Sequence, residues 1–262
     1  MKTMDIGANL SHESFQPDLD AVLIRAREAG VETIIVTGAS AEGNRKALQL
    51  ATQYPGLYCT AGIHPHEASR YTQTDGKELL QLGNNPAVVA MGECGLDFYR
   101  DLSPRPVQEQ CFTAQLEIAC AIGKPVFLHE RDAHERFLAL LTPYLAKLPK
   151  VVVHCFTGTQ SQLENYLELG CYIGITGWIC DERRGRQLLD FIGIIPPDRL
   201  MLETDAPYLL PRDLKPAPRS RRNEPCYLPH IAATVAAAVG KPVAQVAAET
   251  TATAQEFFNL KD

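Results

Sequence analysis

No stretch of the 262 residues approaches the roughly 20 apolar positions that a bilayer crossing needs. The longest strongly apolar helical run lies around Ile231 to Val239. The opening Met1-Lys2-Thr3-Met4-Asp5-Ile6 leads into polar sequence without a hydrophobic segment, so it does not read as an export signal. None of the eight cysteines forms a C-x-x-C pair, and they are scattered over a long chain. Reduced, mostly buried thiols and a cytoplasmic setting are therefore expected. Phosphate-cradling turns of the G-x-G-x-x-G or G-x-x-x-x-G-K-[ST] type are missing, as are a G-x-S-x-G nucleophile elbow and a complete H-E-x-x-H. These absences remove dinucleotide-binding, nucleotide-triphosphate, serine-hydrolase and zincin readings. No internal repeat, low-complexity tract or interdomain linker is evident, which favours one domain over residues 1–262.

What is present is an alternation. Short runs rich in Val, Ile and Leu predict strands at Thr3–Ile6, Thr33–Thr37, Leu57–Ile63, Ala87–Gly92, Val126–Leu128, Val151–His154, Cys171–Ile175 and Leu200–Thr204. Helical stretches lie between them, at Pro17–Ala29, Glu42–Gln53, Pro106–Ile122, Asp132–Leu148, Ser161–Leu169 and Arg186–Ile192. Gly30, Gly123 and Gly170 stand where a left-handed helix cap would precede the next strand. Eight β-then-α units predict an α/β protein, a single (β/α)8 TIM barrel. The Pro- and Arg-rich stretch Pro211–Pro229 follows the eighth strand directly and reads as a long loop over the barrel mouth.

Catalytic groups of such barrels sit at the carboxyl ends of the strands. Strand four runs into Glu93, strand five into His129, strand six into His154 and strand eight into Asp205. Strand three adds Gly62-Ile63-His64-Pro65-His66. Acids and imidazoles converging from separate strands would concentrate unpaired charge unless a cation joined them, so a metal centre is expected. Alternation along a strand should set Glu93 opposite Cys94 and His154 opposite Cys155, leaving those thiols as packing groups. It should also place Glu203 on the face of Asp205. Glu203 can then serve the metal site or hold a buried backbone amide; both readings stand.

These runs resemble the signatures of the TatD-type metal-dependent deoxyribonucleases. The matching segments are Gly62-Ile63-His64-Pro65-His66, Gly92-Glu93-Cys94-Gly95-Leu96-Asp97, His129 with Arg131, His154-Cys155-Phe156-Thr157-Gly158, Ile173-Gly174-Ile175-Thr176-Gly177, Glu203-Thr204-Asp205-Ala206-Pro207-Tyr208-Leu209 and Arg221-Arg222-Asn223-Glu224-Pro225. The resemblance runs through nearly the whole chain in order. It implies an amidohydrolase-like barrel that cleaves phosphodiester bonds, with Glu93, His129, His154 and Asp205 as metal ligands and His64 beside them. Most members open with His-x-His; here Gly7-Ala8-Asn9 stands in its place, a form similar to the branch associated with 3′→5′ exonuclease action on single-stranded DNA and RNA. Losing two imidazoles leaves a set relatively richer in oxygen, so Mg²⁺ is expected, with Mn²⁺ next and Zn²⁺ less favoured.

The mechanism so implied uses Asp205 as general base, Glu93 at the metal, and His64 as proton donor to the leaving oxygen or as a grip on the phosphate. Arg131 either grips a phosphate or pairs with Asp97. Expected substrate contacts are Asn9, His66, Arg131, Glu203, Tyr208, Arg221 and Arg222. The formal charge of −6 argues against a nucleic-acid coat, yet Arg212, Lys215, Arg219, Arg221 and Arg222 face only one acid, Asp213, within 212–222. Phe98, Tyr99, Trp178 and Tyr208 could stack a base. The expected partner is the 3′ end of a single strand, met by a monomeric enzyme with no membrane. A barrel hydrolase of small esters or amides, or of an aminoacylated RNA end, is the alternative. A non-catalytic nucleic-acid-binding scaffold is the third reading.

Overall fold

The computed structural model describes residues 2–260; Met1, Lys261 and Asp262, which the expected 1–262 domain includes, lie outside the described residues. Eight strands are present: β1 (Thr3–Ala8), β2 (Val31–Val36), β3 (Leu57–Ala61), β4 (Val88–Asp97), β5 (Val126–Arg131), β6 (Val151–Val153), β7 (Tyr172–Ile175) and β8 (Leu200–Leu202). Helices α1 (Leu19–Glu28), α2 (Ala41–Gln53), α3 (Gln73–Gly83), α4 (Arg105–Ile122), α5 (His134–Leu141), α6 (Gln160–Glu168), α7 (Arg186–Phe191), α8 (Leu228–Val239) and α9 (Val243–Phe258) alternate with them. The strands form one sheet in the order β1 to β8. A parallel bridge from Ala8 to Ala206 returns the end of the order to its start. The fold is the (β/α)8 barrel that the alternation predicts.

The chain forms two compact units, residues 1–36, 155–164 and 173–262 in one, residues 37–154 and 165–172 in the other. In the first, β1 pairs with β2 and β7 with β8, all parallel. Asn9 N–H donates to the Ala206 carbonyl and Asp205 N–H to that of Gly7. Its core is built from fully buried residues such as Ile6, Phe15, Ile35, Val235 and Phe257. In the second, β3 to β6 form a parallel run. Phe112 stacks on Phe137 at 5.2 Å, and Tyr166 meets Phe137 edge-on while its hydroxyl donates to Glu130.

Gly30, Gly123 and Gly170 adopt φ of 86°, 74° and 76°, the left-handed cap read from the sequence. The helix expected over Asp132–Leu148 is shorter, because Pro143 has no N–H to continue the ladder and a 3-10 turn, Thr142–Tyr144, takes over. Helix α3 follows a capping box in which Thr72 and Asp75 satisfy each other's backbone N–H, a signal the strand-and-helix pattern passed over.

The largest departure is β4, which continues to Asp97 where a strand ending at Gly92 was expected. Gly92 and Gly95 have φ of 135° and 147°, and a Cβ there would lie 2.0 Å from the Phe127 carbonyl oxygen and 1.9 Å from that of His129. Two glycines that look like strand terminators are what let β4 keep pairing with β5. Between the pairs Met91–Val126 and Cys94–Leu128 the register shifts, so β4 carries one extra residue. Such a bulge re-aims the side chain it contains, here Glu93.

Gly95→Ala is therefore expected to cost about 2–4 kcal/mol, from left-handed strain plus a backbone clash. Gly123→Ala, with φ of 74° and nothing within 4 Å of the added Cβ, should cost only about 1–2 kcal/mol. Urea midpoints of the two variants test the difference; equal losses would mean that close approach is not the constraint.

Candidate metal centre

Glu93 is 5% exposed, and its Oε1 is approached by three ring nitrogens: His154 Nε2 at 2.8 Å, His129 Nδ1 at 3.0 Å and His64 Nε2 at 3.3 Å. One carboxylate oxygen has two lone pairs, so it cannot accept well from all three. His129 Nε2 is buried without a hydrogen bond, its nearest acid being Asp97 Oδ2 at 3.4 Å. His64, Glu93 and His129 each offer an atom within 4.8 Å of the others. Crowded nitrogen donors, a buried carboxylate and an orphaned imidazole nitrogen fit a divalent cation among these side chains.

The imidazoles are held on their far sides. His154 stacks on Phe127 at 4.5 Å, and its backbone N–H donates to the Leu128 carbonyl. His66 Nε2 lies 2.6 Å from Asp97 Oδ2, whose other oxygen accepts from the N–H groups of Tyr99 and Arg100. His64 caps the following 3-10 turn, its Nδ1 accepting from His66 N–H. An imidazole whose Nδ1 is an acceptor carries its proton on Nε2, so neutral His64 points an N–H toward Glu93.

The charges follow from this packing. Burial opposes ionisation of Glu93, but His154, His64 and His129 hold it well below the usual carboxylate range. Burial likewise opposes the charged forms of Asp97 and His129; even so, the His129 and His66 contacts draw Asp97 down, and Asp97 and Glu93 draw His129 up. Burial pushes His64 down to about 4, with Glu93 resisting the shift. Burial pushes the Cys59, Cys111 and Cys171 thiols up to about 12 and holds Cys94 well above the ordinary thiol range, so these four are poor nucleophiles.

A second polar group forms at the ends of β1 and β8. Asp205, with φ of 55°, accepts from Asn9 Nδ2 at 3.0 Å. β8 stops at Leu202 and β6 at Val153, so simple alternation does not govern Glu203 and Asp205, nor His154 and Cys155. Cys155 has φ of 46° and its N–H donates to Glu203 Oε1, the backbone-amide role left open for that glutamate. Asp5 accepts from Gly7 N–H, Thr204 N–H and the Thr204 hydroxyl. Burial pushes its carboxyl up to about 7, with Glu203 adding to the shift and the Thr204 and Gly7 hydrogen bonds resisting it.

Of the remaining sequence candidates, Arg131 lies 5.0 Å from the centre of the Tyr99 ring and 3.8 Å from Asp132, while Asp97 is taken by His66 and its own turn. The Arg131–Asp97 pair does not form. Tyr208 is 51% exposed and meets His12 edge-on at 5.8 Å. Arg221 is exposed, whereas Arg222 is bound to both Asp18 oxygens at 2.7 Å and to Glu224 at 2.8 Å. Phe98 and Trp178 are covered by Arg105 and Arg184, and Tyr99 is 63% exposed.

Three positioning residues escaped the sequence reading. Asn44 exchanges hydrogen bonds with both backbone groups of Gly62, Gln115 with those of Ile63 and Gln108 with those of Asp97. All three amides are buried on helices. A polar amide inside the apolar stripe of α2 or α4 was the signal available.

This arrangement on an eight-stranded α/β barrel defines a hydrolytic metalloenzyme. The sequence model for TatD related DNase matches residues 4–259. The chain is 51% identical over 256 residues to the 3′-5′ ssDNA/RNA exonuclease TatD of Klebsiella pneumoniae (98% of this chain, 97% of the relative) and 57% identical over 235 residues to its namesake in Musicola paradisiaca (89% of each). The crystal structure of the TatD homologue YJJV from Escherichia coli K12 superposes with a TM-score of 0.91 at 30% identity, covering 99% of this chain and 98% of that one. The protein belongs to the TatD-related DNase family and is a nuclease.

Asp97→Asn should leave the fold intact yet lower metal affinity on the order of 10–100-fold, read as the metal concentration for half-maximal activity, because Asp97 orients His66 and faces His129. Asp5 gives a pH effect of definite sign. Its raised folded value means that its contribution to stability is full below the ordinary aspartate range and is lost as pH climbs toward about 7. Asp5→Asn should remove that decline, so urea midpoints of variant minus wild type should rise from pH 4 to pH 8; a flat difference would contradict the assignment.

Proposed function

We propose that the protein is a 3′→5′ exonuclease that hydrolyses phosphodiester bonds of single-stranded DNA and RNA with a divalent cation, Mg²⁺ before Mn²⁺ and Zn²⁺. It acts as one catalytic domain and as a monomer, in the cytoplasm, a setting that eight free thiols suit. The observation that carries the reading is the buried Glu93 carboxylate facing three imidazole nitrogens. Glu93, His129 and His154 would hold the cation, and Asp205 joins them on the strength of its motif Glu203-Thr204-Asp205-Ala206-Pro207. When bound, the ion supplies Lewis-acid polarisation of the scissile phosphate and acidifies a water.

The chain's own groups do the rest. Asp205 accepts the proton of the attacking water at a carboxylate oxygen, while Asn9 Nδ2 fixes the other oxygen. His64 is outside the ligand set, because its Nε2 bears the proton; as a neutral imidazole it offers that N–H as a hydrogen bond to the departing oxygen, whose proton comes from solvent. Glu203 holds Cys155 N–H and so keeps the backbone after His154 in its left-handed turn. Exposed Tyr208 offers a ring for a terminal base, and exposed Arg221 offers charge for the phosphates. His66 and Arg131 complete the contacts proposed for the strand; Arg222 shapes the loop from its base.

The test uses a 5′-labelled single strand with Mg²⁺, Mn²⁺ or Zn²⁺. A ladder shortening from the 3′ end, abolished by chelator and reduced at least about 10³-fold in Glu93→Ala, is expected. Intact strand with every ion, or undiminished cleavage by the variant, would overturn the proposal.

A further inference from the structure

Far from Glu93 in sequence, the 3-10 turn Gly177–Cys180, the loop after β8 and the first turn of α8 bring together a thiol, a carboxylate and an imidazole. Cys180 Sγ, a carboxylate oxygen of Asp213 and a ring nitrogen of His230 all lie within 4.8 Å of one another. His230 Nε2 is 2.7 Å from Asp213 Oδ1. The thiol is buried and donates to the Thr234 hydroxyl at 3.3 Å, and that hydroxyl donates onward to the His230 carbonyl at 3.2 Å. The sulfur is thus aimed at the same turn of α8 that presents the imidazole. None of these residues has a part in the hydrolysis described above.

We propose that Cys180, Asp213 and His230 form a second metal site, selective for a thiophilic divalent cation of the zinc type. The donor chemistry carries the selectivity. Thiolate, imidazole and carboxylate are the three protein ligand types of Zn²⁺, three of them leave a fourth tetrahedral position for water, and a sulfur ligand disfavours Mg²⁺ and Ca²⁺. On binding, the sulfur–metal bond forms as the thiol proton passes to solvent. The proton that His230 Nε2 shares with Asp213 moves to Nδ1 (or, from an imidazolium, to solvent), and the hydrogen bond between them is replaced by two metal bonds, one from each residue. The function follows from connectivity. Asp213 lies in the basic loop that follows β8, His230 sits in the first turn of α8 at the loop's far end, and Cys180 ends the turn whose first residue, Gly177, closely approaches Leu209 and Pro211. An ion here would tie the start of the loop to its end, and with it Arg212, Lys215, Arg219 and Arg221. It is a structural clip.

The experiment uses the full chain, stripped with chelator and kept in excess Mg²⁺, and reads the near-ultraviolet thiolate-to-cobalt charge-transfer band as Co²⁺ is added. One equivalent should produce the band, and Zn²⁺ should displace it. Glu93→Ala should retain it, since that residue belongs to the other centre, and Cys180→Ser should lose it. His230→Gln and Asp213→Asn sit at the surface and keep the question open to test if Cys180→Ser fails to fold; each should weaken Co²⁺ binding by at least about tenfold, with an unchanged far-ultraviolet circular dichroism spectrum. No band in the wild type, a band that survives Cys180→Ser, or unchanged affinity in either surface variant would overturn the assignment.

Discussion

The constraint on which the site depends is the cost of keeping the Glu93 carboxylate out of water. A buried, unpaired charge costs several kcal/mol, and removing either member of a buried pair leaves that cost exposed. Around Glu93 the cost is offset by imidazoles alone, since no Lys or Arg pairs with it among the described residues. Imidazoles are neutral or charged according to their partners, and two of these three have definite partners of their own: the backbone of His66 for His64, and Phe127 for His154. The result is a fixed concentration of lone pairs and N–H groups, the preorganisation that electrostatic catalysis requires.

That fixity is supplied by backbone contacts more than by packing. Asn44, Gln115 and Gln108 each read one residue of a strand end as a neighbouring strand would, satisfying an N–H and a C=O together. Barrel strands run out of β partners where the loops begin, and that is where His64 and Asp97 stand. Side-chain amides projecting from helices replace the missing ladder. They let the strand ends remain rigid beyond the last regular pair without adding charge.

Much of this was legible in the sequence, and the failures have physical causes. Eight apolar runs and three glycine caps gave the barrel, because buried parallel strands and left-handed helix ends each demand narrow residue types. The histidines and acids were visible through their positions after those runs. β4 was cut short because Gly92 and Gly95 look like terminators when their actual role, close approach to the Phe127 and His129 carbonyls, depends on the neighbouring strand. Side-chain alternation failed for Cys155 and Asp205 because both occupy left-handed backbone past the ends of their strands. The amides were missed for a related reason: a polar residue on a helix is ordinary until its partner, distant in sequence, is known. Arg222 shows the same limit, since its charge and position suggested a phosphate contact while Asp18 and Glu224 hold it.

The pairing of the arginines leaves only part of the loop's positive charge uncommitted. Arg222 is engaged by Asp18 and Glu224, and Arg212 lies 3.8 Å from Asp181. Lys215, Arg219 and Arg221 have no ion pair among the described residues, which leaves three cations on the loop for a phosphate chain. Counterion release from three contacts on a single strand gives a slope of about −2 in log affinity against log salt, so each doubling of ionic strength loosens the grip only about fourfold. In the proposed reading these three side chains would add a modest, sequence-independent and salt-dependent share to the binding of a strand, leaving its chemistry to the centre around Glu93.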